Sequence, residues 1–406
     1  MNVLFFSPGF PAEMPYFTRG LAEAGARVVG IGDQPRTQLP EEANAHLADY
    51  VRVPSLWSEE KLTEAVRRLD RQHTLDRIEC LWEPGMTLAA RLREVFDLPG
   101  LGERATVPFR DKGRMKEVLD AAGLRTPRHF RATTESRCRQ AAELLGYPLI
   151  VKPIAGAGSA DTHRLDGESD LERVLPDLRH VGEVSVEEFI DGEEYTYDTI
   201  CRDGKVLYEN LSWYRPRPLI GRSIESLSPQ TVALRYGSQL PELAAGRELG
   251  KRVLAALGFD TGFTHMEWFL KSDGEAVFGE IGARPPGARS VDIMNYAGDT
   301  DLFRGWGEAV VQGEMSQPTL KPYNAAVVFK RAEGSGRIDR IEGLGRLLER
   351  YGPHVAAVDL LPLGTQRRNW KQTLLSDGSV IVRHPDLTTT LEIADRFGSE
   401  LRLYAS

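Results

Sequence analysis

One segment, Thr264 to Gly287 (THMEWFLKSDGEAVFGEIGARPPG), constrains the fold more than any other. Asp273-Gly274 stands between two runs of alternating apolar residues. That is a strong signal for a two-residue hairpin turn, because both turn positions take positive φ. Such a turn sets Ser272 opposite Glu275 and, counting outward along both strands, Glu267 opposite Glu280. Side chains alternate across a strand, so the two carboxylates leave on one face. Directly opposed Cβ atoms lie about 4.5–5.5 Å apart, and like charges at that spacing destabilise a sheet. A divalent cation would compensate, since hard Mg²⁺ is held by one or two carboxylates together with phosphate oxygens. Protonated or solvated glutamates on an exposed face also satisfy the pattern, so the pair alone leaves both readings open.

At 406 residues the chain is long enough for two to four compact units, and 41% hydrophobic with 27% charged residues is ordinary for a soluble globular protein. No run of 18 apolar residues occurs, so no transmembrane helix and no membrane partner are expected. The opening MNVLFFSPGFP lacks a basic flank and reads as a buried strand rather than a signal peptide. Cys80, Cys138 and Cys201 show no CxxC spacing. They read as small packed hydrophobes in a reducing cytoplasm. A net charge of −8 argues against a nucleic-acid partner. It does not exclude an anionic ligand, because local lysines, glycines and metal set the field at a site.

The first hundred residues alternate strand and helix: strands over 2–6, 27–31 and 77–82, helices over 17–24, 59–70 and 86–96. This predicts a doubly wound open parallel sheet. Its first loop, SPGFPAEMP, is not GxGxxG, so a nicotinamide cofactor is not expected there. A helix follows over 111–122 with Asp111 as N-cap and Gly123 as its stop, and a second over 135–145. Further strands are predicted over 148–153, 162–165, 184–190, 194–201 and 205–213, with helices over 168–178 and 240–257. From about 316 the texture changes to short strands and one helix over 387–397, which reads as a separate C-terminal α+β unit.

Three further segments carry candidate chemistry. In KPIAGAGSAD, Lys152 ends a strand and Gly156, Gly158 and Ser159 follow. Glycines let backbone N–H groups approach phosphate oxygens, although an ordinary loop fits the same residues. The segment is not a Walker A loop, since Lys precedes the glycines. Lys112 begins a capped helix, an electrostatically odd place for a cation unless an anion is near; a solvated lysine is the plainer reading. In VEEFIDGEEYTYDTI, alternation puts Glu187, Phe189 and Asp191 on one face, with Glu194 beyond a Gly192 turn. A carboxylate there suits ribose hydroxyls beside strand-edge groups that read adenine, and an acidic surface turn is the competing reading.

The order of these pieces is DK (111–112), VKP with GAGS (151–159), VEEFIDGEE (186–194), then HMEWF with GEIGARPPG (265–287). It resembles the ATP-grasp superfamily, specifically its carboxylate–amine ligases, including the bacterial L-amino-acid (dipeptide) ligases. The resemblance covers essentially the whole chain. It implies an ATP-grasp fold of mixed α/β and α+β class, with an N-terminal open α/β domain over 1–106, a small lid subdomain over 107–186, a large subdomain over 187–315 and a C-terminal α+β domain over 316–406. By the same resemblance, Lys112 and Lys152 reach the nucleotide phosphates, and Gly156, Gly158 and Ser159 belong to the glycine-rich loop over them. Glu187, Glu188, Phe189 and Ile190 form the adenine hinge, and Glu194 holds the ribose. Glu267 and Glu280 bind Mg²⁺, with Mn²⁺ as a substitute, and Arg284 binds the substrate carboxylate and acyl phosphate. His265 shares the carboxylate face, either lining the site or packed. Gly282 departs from the pattern, since many members carry there an Asn that adds a metal ligand.

The activity implied is ATP-dependent amide or peptide bond formation through an acyl phosphate, with ADP and phosphate released. Lys152 and Arg284 would stabilise the transferring group. The partners are a small-molecule carboxylate and an amine, amino acids among them, and a homodimer is the default assembly. The substrate pocket is expected between the N-terminal domain, the hairpin and Trp213 to Arg222, with Glu83 at a strand end where open α/β sheets place ligand groups. Two alternatives share the fold: a bicarbonate- or formate-using enzyme of the purine-synthesis type, and an ATP-binding protein without catalysis.

Overall fold

The structure is a computed structural model that describes residues 1–154, 162–373 and 375–406. The first strands are β1 (Asn2–Phe6), β2 (Arg27–Gly32), β3 (Asp49–Arg52) and β4 (Arg77–Glu79). They form a four-stranded sheet in the order β3-β2-β1-β4, parallel throughout. Val3 to Phe6 are fully buried, as expected of a central parallel strand covered on both faces. β4 stops three residues short of the prediction, and the chain enters a 3₁₀ turn at Glu83–Gly85 that leaves Glu83 beyond the carboxyl end of the sheet. The three cysteines are buried and unpaired. Among the described residues no helix is long and apolar enough to cross a membrane.

A second sheet holds β5 (His129–Ala132), β6 (Leu149–Pro153), β7 (His163–Leu165) and β8 (Val184–Glu188) in the order β5-β8-β6-β7. It is antiparallel at every pairing. The preceding helix, Lys112–Ala121, starts as expected: Asp111 accepts from the N–H groups of Gly113 and Arg114, both at 2.9 Å. Such a cap is worth about 0.5–2 kcal/mol. The boundary expected at 186/187 falls inside β8, and the crossing to the next sheet runs through Phe189 to Gly192.

The remaining strands are β9 (Glu193–Arg202), β10 (Lys205–Arg215), β11 (Gln230–Ala233), β12 (Gly262–Leu270), β13 (Ala276–Gly282), β14 (Asn324–Lys330), β15 (Glu333–Gly334), β16 (Ile338–Glu342), β17 (Val355–Leu360), β18 (Gly378–His384) and β19 (Arg402–Ala405). Eight of them make one sheet, β13-β12-β9-β10-β11-β14-β18-β17, and β15-β19-β16 make a small one. The segment after 316, expected as a separate unit, is therefore joined edge to edge to the central sheet. Ala233 pairs with Ala325 and Thr231 with Val327, so β14 continues the ladder of β11.

The hairpin differs instructively from its prediction. The loop holds three residues, not two: Lys271 N–H bonds Glu275 O at 3.0 Å, and only Gly274 of the three takes positive φ, at 86°. This is a turn closed by a left-handed glycine, and it shifts the pairing by one, so that Leu270 faces Ala276 and Trp268 faces Phe278. A bulge at Gly279 then restores the lost residue, and Glu267 is paired with Glu280 after all. The bulge also lets Phe278 and Ile281 both enter the core with Trp268 and Met266 while Glu280 stays on the opposite face. Only glycine fits at 279, because a Cβ there would lie 2.8 Å from the Glu267 carbonyl oxygen.

Candidate active site

A cleft of about 780 Å³, counting space open to solvent, lies between the β5–β8 sheet and the β12–β13 hairpin. Lys112, Lys152, Glu187, Glu188, Phe189, Ile190, Glu194, Glu267 and Glu280 all line it. The sequence thus scattered over some 170 residues what the fold collects in one place. Gly156, Gly158 and Ser159 lie outside the described residues. Arg284 stands beside the cleft rather than in its lining.

Lysines and carboxylates interlock on its floor. Lys152 Nζ lies 3.1 Å from Glu187 and 3.9 Å from Glu280, and Lys112 Nζ lies 3.5 Å from Glu280. A residue not singled out in the sequence completes the cluster: Lys116, one turn after Lys112, is fully buried and hydrogen-bonded to Glu187. Burial by itself would raise the Glu187 pKa, but the charges of Lys116 and Lys152 outweigh it and hold the carboxyl well below its ordinary value. Lys116 was legible only as a polar residue one helical turn from Lys112, a position more often solvated than buried.

At the other end of the cleft, Arg217 Nε lies 3.4 Å from Glu194 and its Nη1 donates to the Ile190 carbonyl at 3.1 Å. Its guanidinium also stacks between Phe189 and Phe269, 4.9 Å from each ring centre. Burial and the nearby charge of Glu267 push Glu194 up to about 8, against the pull of Arg217. The Glu188 side chain pairs with Arg125 at 3.0 Å, and its N–H donates to the Arg128 carbonyl at 2.8 Å. The segment Trp213 to Arg222 therefore contributes directly, through Arg217 and through Tyr214, whose hydroxyl donates to Glu267 at 3.1 Å.

His265, ambiguous in the sequence, is buried with Nδ1 2.6 Å from Asp198 and Nε2 3.6 Å from Glu267. Burial lowers its pKa, yet the Asp198 and Glu267 carboxylates prevail and push it up to about 9. Arg284 Nε donates to Glu83 at 2.6 Å, and Glu83 also accepts from Arg110. The 3₁₀ turn after β4 and the end of β13 thereby meet through one ion pair. Among the described residues no three ligating side chains already surround a common point. The directly opposed Glu267 and Glu280 are nevertheless hard oxygen donors with cleft space before them, and they suit a magnesium ion whose other ligands are phosphate and water.

A model of the ATP-grasp domain matches residues 109–212. Over 216 residues the chain is 28% identical to the L-arginine-specific L-amino acid ligase of Bacillus subtilis, a match that covers 52% of this chain and 51% of that protein. A D-alanine–D-alanine ligase of Pseudomonas putida is 36% identical over 108 residues, covering 26% of this chain and 34% of its own. The chain thus spans about half or less of the length of these curated relatives. The crystal structure of an L-amino acid ligase from Bacillus licheniformis matches with a TM-score of 0.79 at 22% identity, covering 100% of this chain and 98% of that one. A phosphoribosylglycinamide synthetase from Anaerococcus prevotii matches at 0.71 and 16% identity, covering 100% and 99%.

Proposed function

From the premise that the chain has the ATP-grasp fold, we propose that it is an ADP-forming ligase that joins a carboxylate to an amine. The observation that carries this reading is the meeting of Lys112, Lys152, Glu267 and Glu280 in one cleft, with the Arg284–Glu83 pair beside it. ATP lies with its base toward Glu187 to Ile190 and its ribose toward Glu194. Its phosphates replace the glutamates as partners of Lys112 and Lys152. Magnesium on Glu267 and Glu280 would neutralise and orient phosphate oxygens.

The substrate carboxylate oxygen attacks the γ-phosphorus, and the bond from γ-phosphorus to the bridging oxygen breaks, releasing ADP. The neutral amine nitrogen then attacks the acyl carbon, the carbon–oxygen bond to phosphate breaks, and the departing phosphate takes the proton the nitrogen loses. The chain's part is positioning and charge neutralisation by the two lysines and Arg284. An amino acid suits the Arg284–Glu83 pair as the acid substrate. It is a zwitterion, so its carboxylate and ammonium can replace the internal partners charge for charge.

The test is ADP release from Mg-ATP with pooled amino acids and small acids, with Glu280→Ala as control. Release that requires one acid and one amine together, and is lost in the variant, supports the ligase. Release driven by bicarbonate or formate alone would replace it with the purine-type reading, and ATP binding with no release from any mixture would leave a binding protein.

A further inference from the structure

His265 holds a position that none of the roles above uses. It sits on β12 directly opposite Gly282 of β13, two residues from the Glu267–Glu280 pair and on the same face. Because position 282 is glycine, the imidazole is the only side chain that this cross-strand pair offers to the face. On its other side β12 pairs with β9, which sets His265 opposite Asp198. Asp198 is 1% exposed and fixed in turn: its Oδ2 accepts from Thr196 at 2.7 Å and from Asn210 at 3.0 Å, while its Oδ1 lies 2.6 Å from His265 Nδ1. The ring is thus held by one nitrogen, and the other points at Glu267 Oε1 from 3.6 Å, wider than a hydrogen bond.

We propose that His265 Nε2, its proton released to solvent as the cation enters, is a third protein ligand of the divalent cation held by Glu267 and Glu280. The inference rests on the metal site proposed above and deepens it. A histidine that ligates a metal commonly has its second nitrogen bound to a carboxylate, which fixes the ring's orientation and raises its basicity. Asp198 supplies that carboxylate. Two donors about 2.1 Å from one octahedral ion and at right angles to each other stand about 3.0 Å apart, so closing the 3.6 Å gap by about 0.6 Å would let His265 and Glu267 share a cation. Glu280 would join them when nucleotide phosphates take Lys112 and Lys152 from it. A nitrogen donor also loosens a strict magnesium preference in favour of first-row transition ions, of which Mn²⁺ is the weakest-binding and a paramagnetic reporter.

The experiment uses Mn²⁺ with ADP and the full chain, read by electron spin-echo modulation rather than turnover. The expected spectrum shows ¹⁴N coupling that becomes ¹⁵N coupling when only histidines carry ¹⁵N, and that is lost in His265→Gln. Asp198→Asn, which keeps the ring, should retain the coupling and weaken Mn²⁺ binding about 10- to 100-fold. Should His265→Gln fail to fold, the labelled unsubstituted chain and Asp198→Asn still decide. Bound Mn²⁺ without histidine coupling, or with coupling that survives His265→Gln, overturns the ligand and leaves the glutamate pair standing. Mn²⁺ that does not bind, or that binds Glu280→Ala as well as the unsubstituted chain, removes the metal site and this inference together.

Discussion

Arg284 and Glu83, 201 residues apart, form a 2.6 Å ion pair that ties the carboxyl end of the N-terminal parallel sheet to the end of the β12–β13 hairpin. Burial alone would raise the Glu83 pKa, but Arg284 and Arg110 outweigh it and keep the carboxyl ionised. Nothing in the sequence predicts that the two pair, yet together they form a charged seat beside the cleft, with Arg110 as a second partner of Glu83.

If that seat takes an amino acid, Glu83→Gln should raise KM for the acid substrate at least about 10-fold, the scale of one lost charge-assisted hydrogen bond, and change kcat less. Arg284→Ala should cost about 10²–10³ in kcat, as for loss of a donor to a developing charge. Steady-state kinetics with each variant checks both. Unchanged turnover in Arg284→Ala would remove that residue from the reaction.

Gly279→Ala tests the bulge. The added Cβ would meet the Glu267 carbonyl oxygen at 2.8 Å, so either the strand pair opens or the bulge moves. The expected cost is about 1–3 kcal/mol of stability, the range for overpacking, together with loss of Mg-nucleotide affinity as Glu280 leaves its place opposite Glu267. Urea unfolding and nucleotide titration separate the two effects.

Glu187 should make stability pH-dependent in one direction. Its folded pKa is depressed, so its contribution is complete above the unfolded carboxylate value and declines as the pH falls toward the folded one. Glu187→Gln removes the buried carboxylate that Lys116 and Lys152 share, leaving Lys152 only the more distant Glu280, and should cost about 3–5 kcal/mol near pH 7. That gap should hold down to about pH 4.5 and narrow below it. Urea midpoints of both proteins from pH 7 to pH 3 would show it, and a gap that widens in acid would contradict the assignment.

Saturating Mg-ADP should stabilise the protein by about 2.7 kcal/mol at 100 times its dissociation constant, simply because it binds only the folded chain. The shift in thermal midpoint should shrink in Glu280→Ala and in Lys152→Ala. A full shift in Glu280→Ala would place the metal elsewhere.

Local patterns carried most of the fold. Helix starts and stops at Asp111, Gly123 and Gly146 are set by caps and left-handed glycines, which are short-range effects. The Glu267–Glu280 pairing was legible too, although two unseen departures, a longer turn and a bulge, had to cancel for it to hold. Neither leaves a mark in apolar alternation. Lys116, Arg217, Tyr214 and the Glu83–Arg284 pair were not legible as a set, because their roles depend on which surfaces the topology brings together. The continuity of β11 and β14 was hidden for the same reason: a change of sequence texture at 316 marks a new run of strands, not the sheet they join.

That continuity makes the last ninety or so residues hard to detach. A chain cut at 316 would leave β11, a short buried strand of Gln230–Ala233, as a bare sheet edge with its hydrogen-bonding groups unmet. It would also uncover apolar residues that β14 and β18 now help to bury, among them Ala233, Ile293 and Ala297. A fragment ending there should recruit the edge of another molecule and precipitate, even though every residue proposed to touch nucleotide would still be present. Stop codons or protease cuts in this tail should therefore register as lost yield of protein, well before they register as lost chemistry.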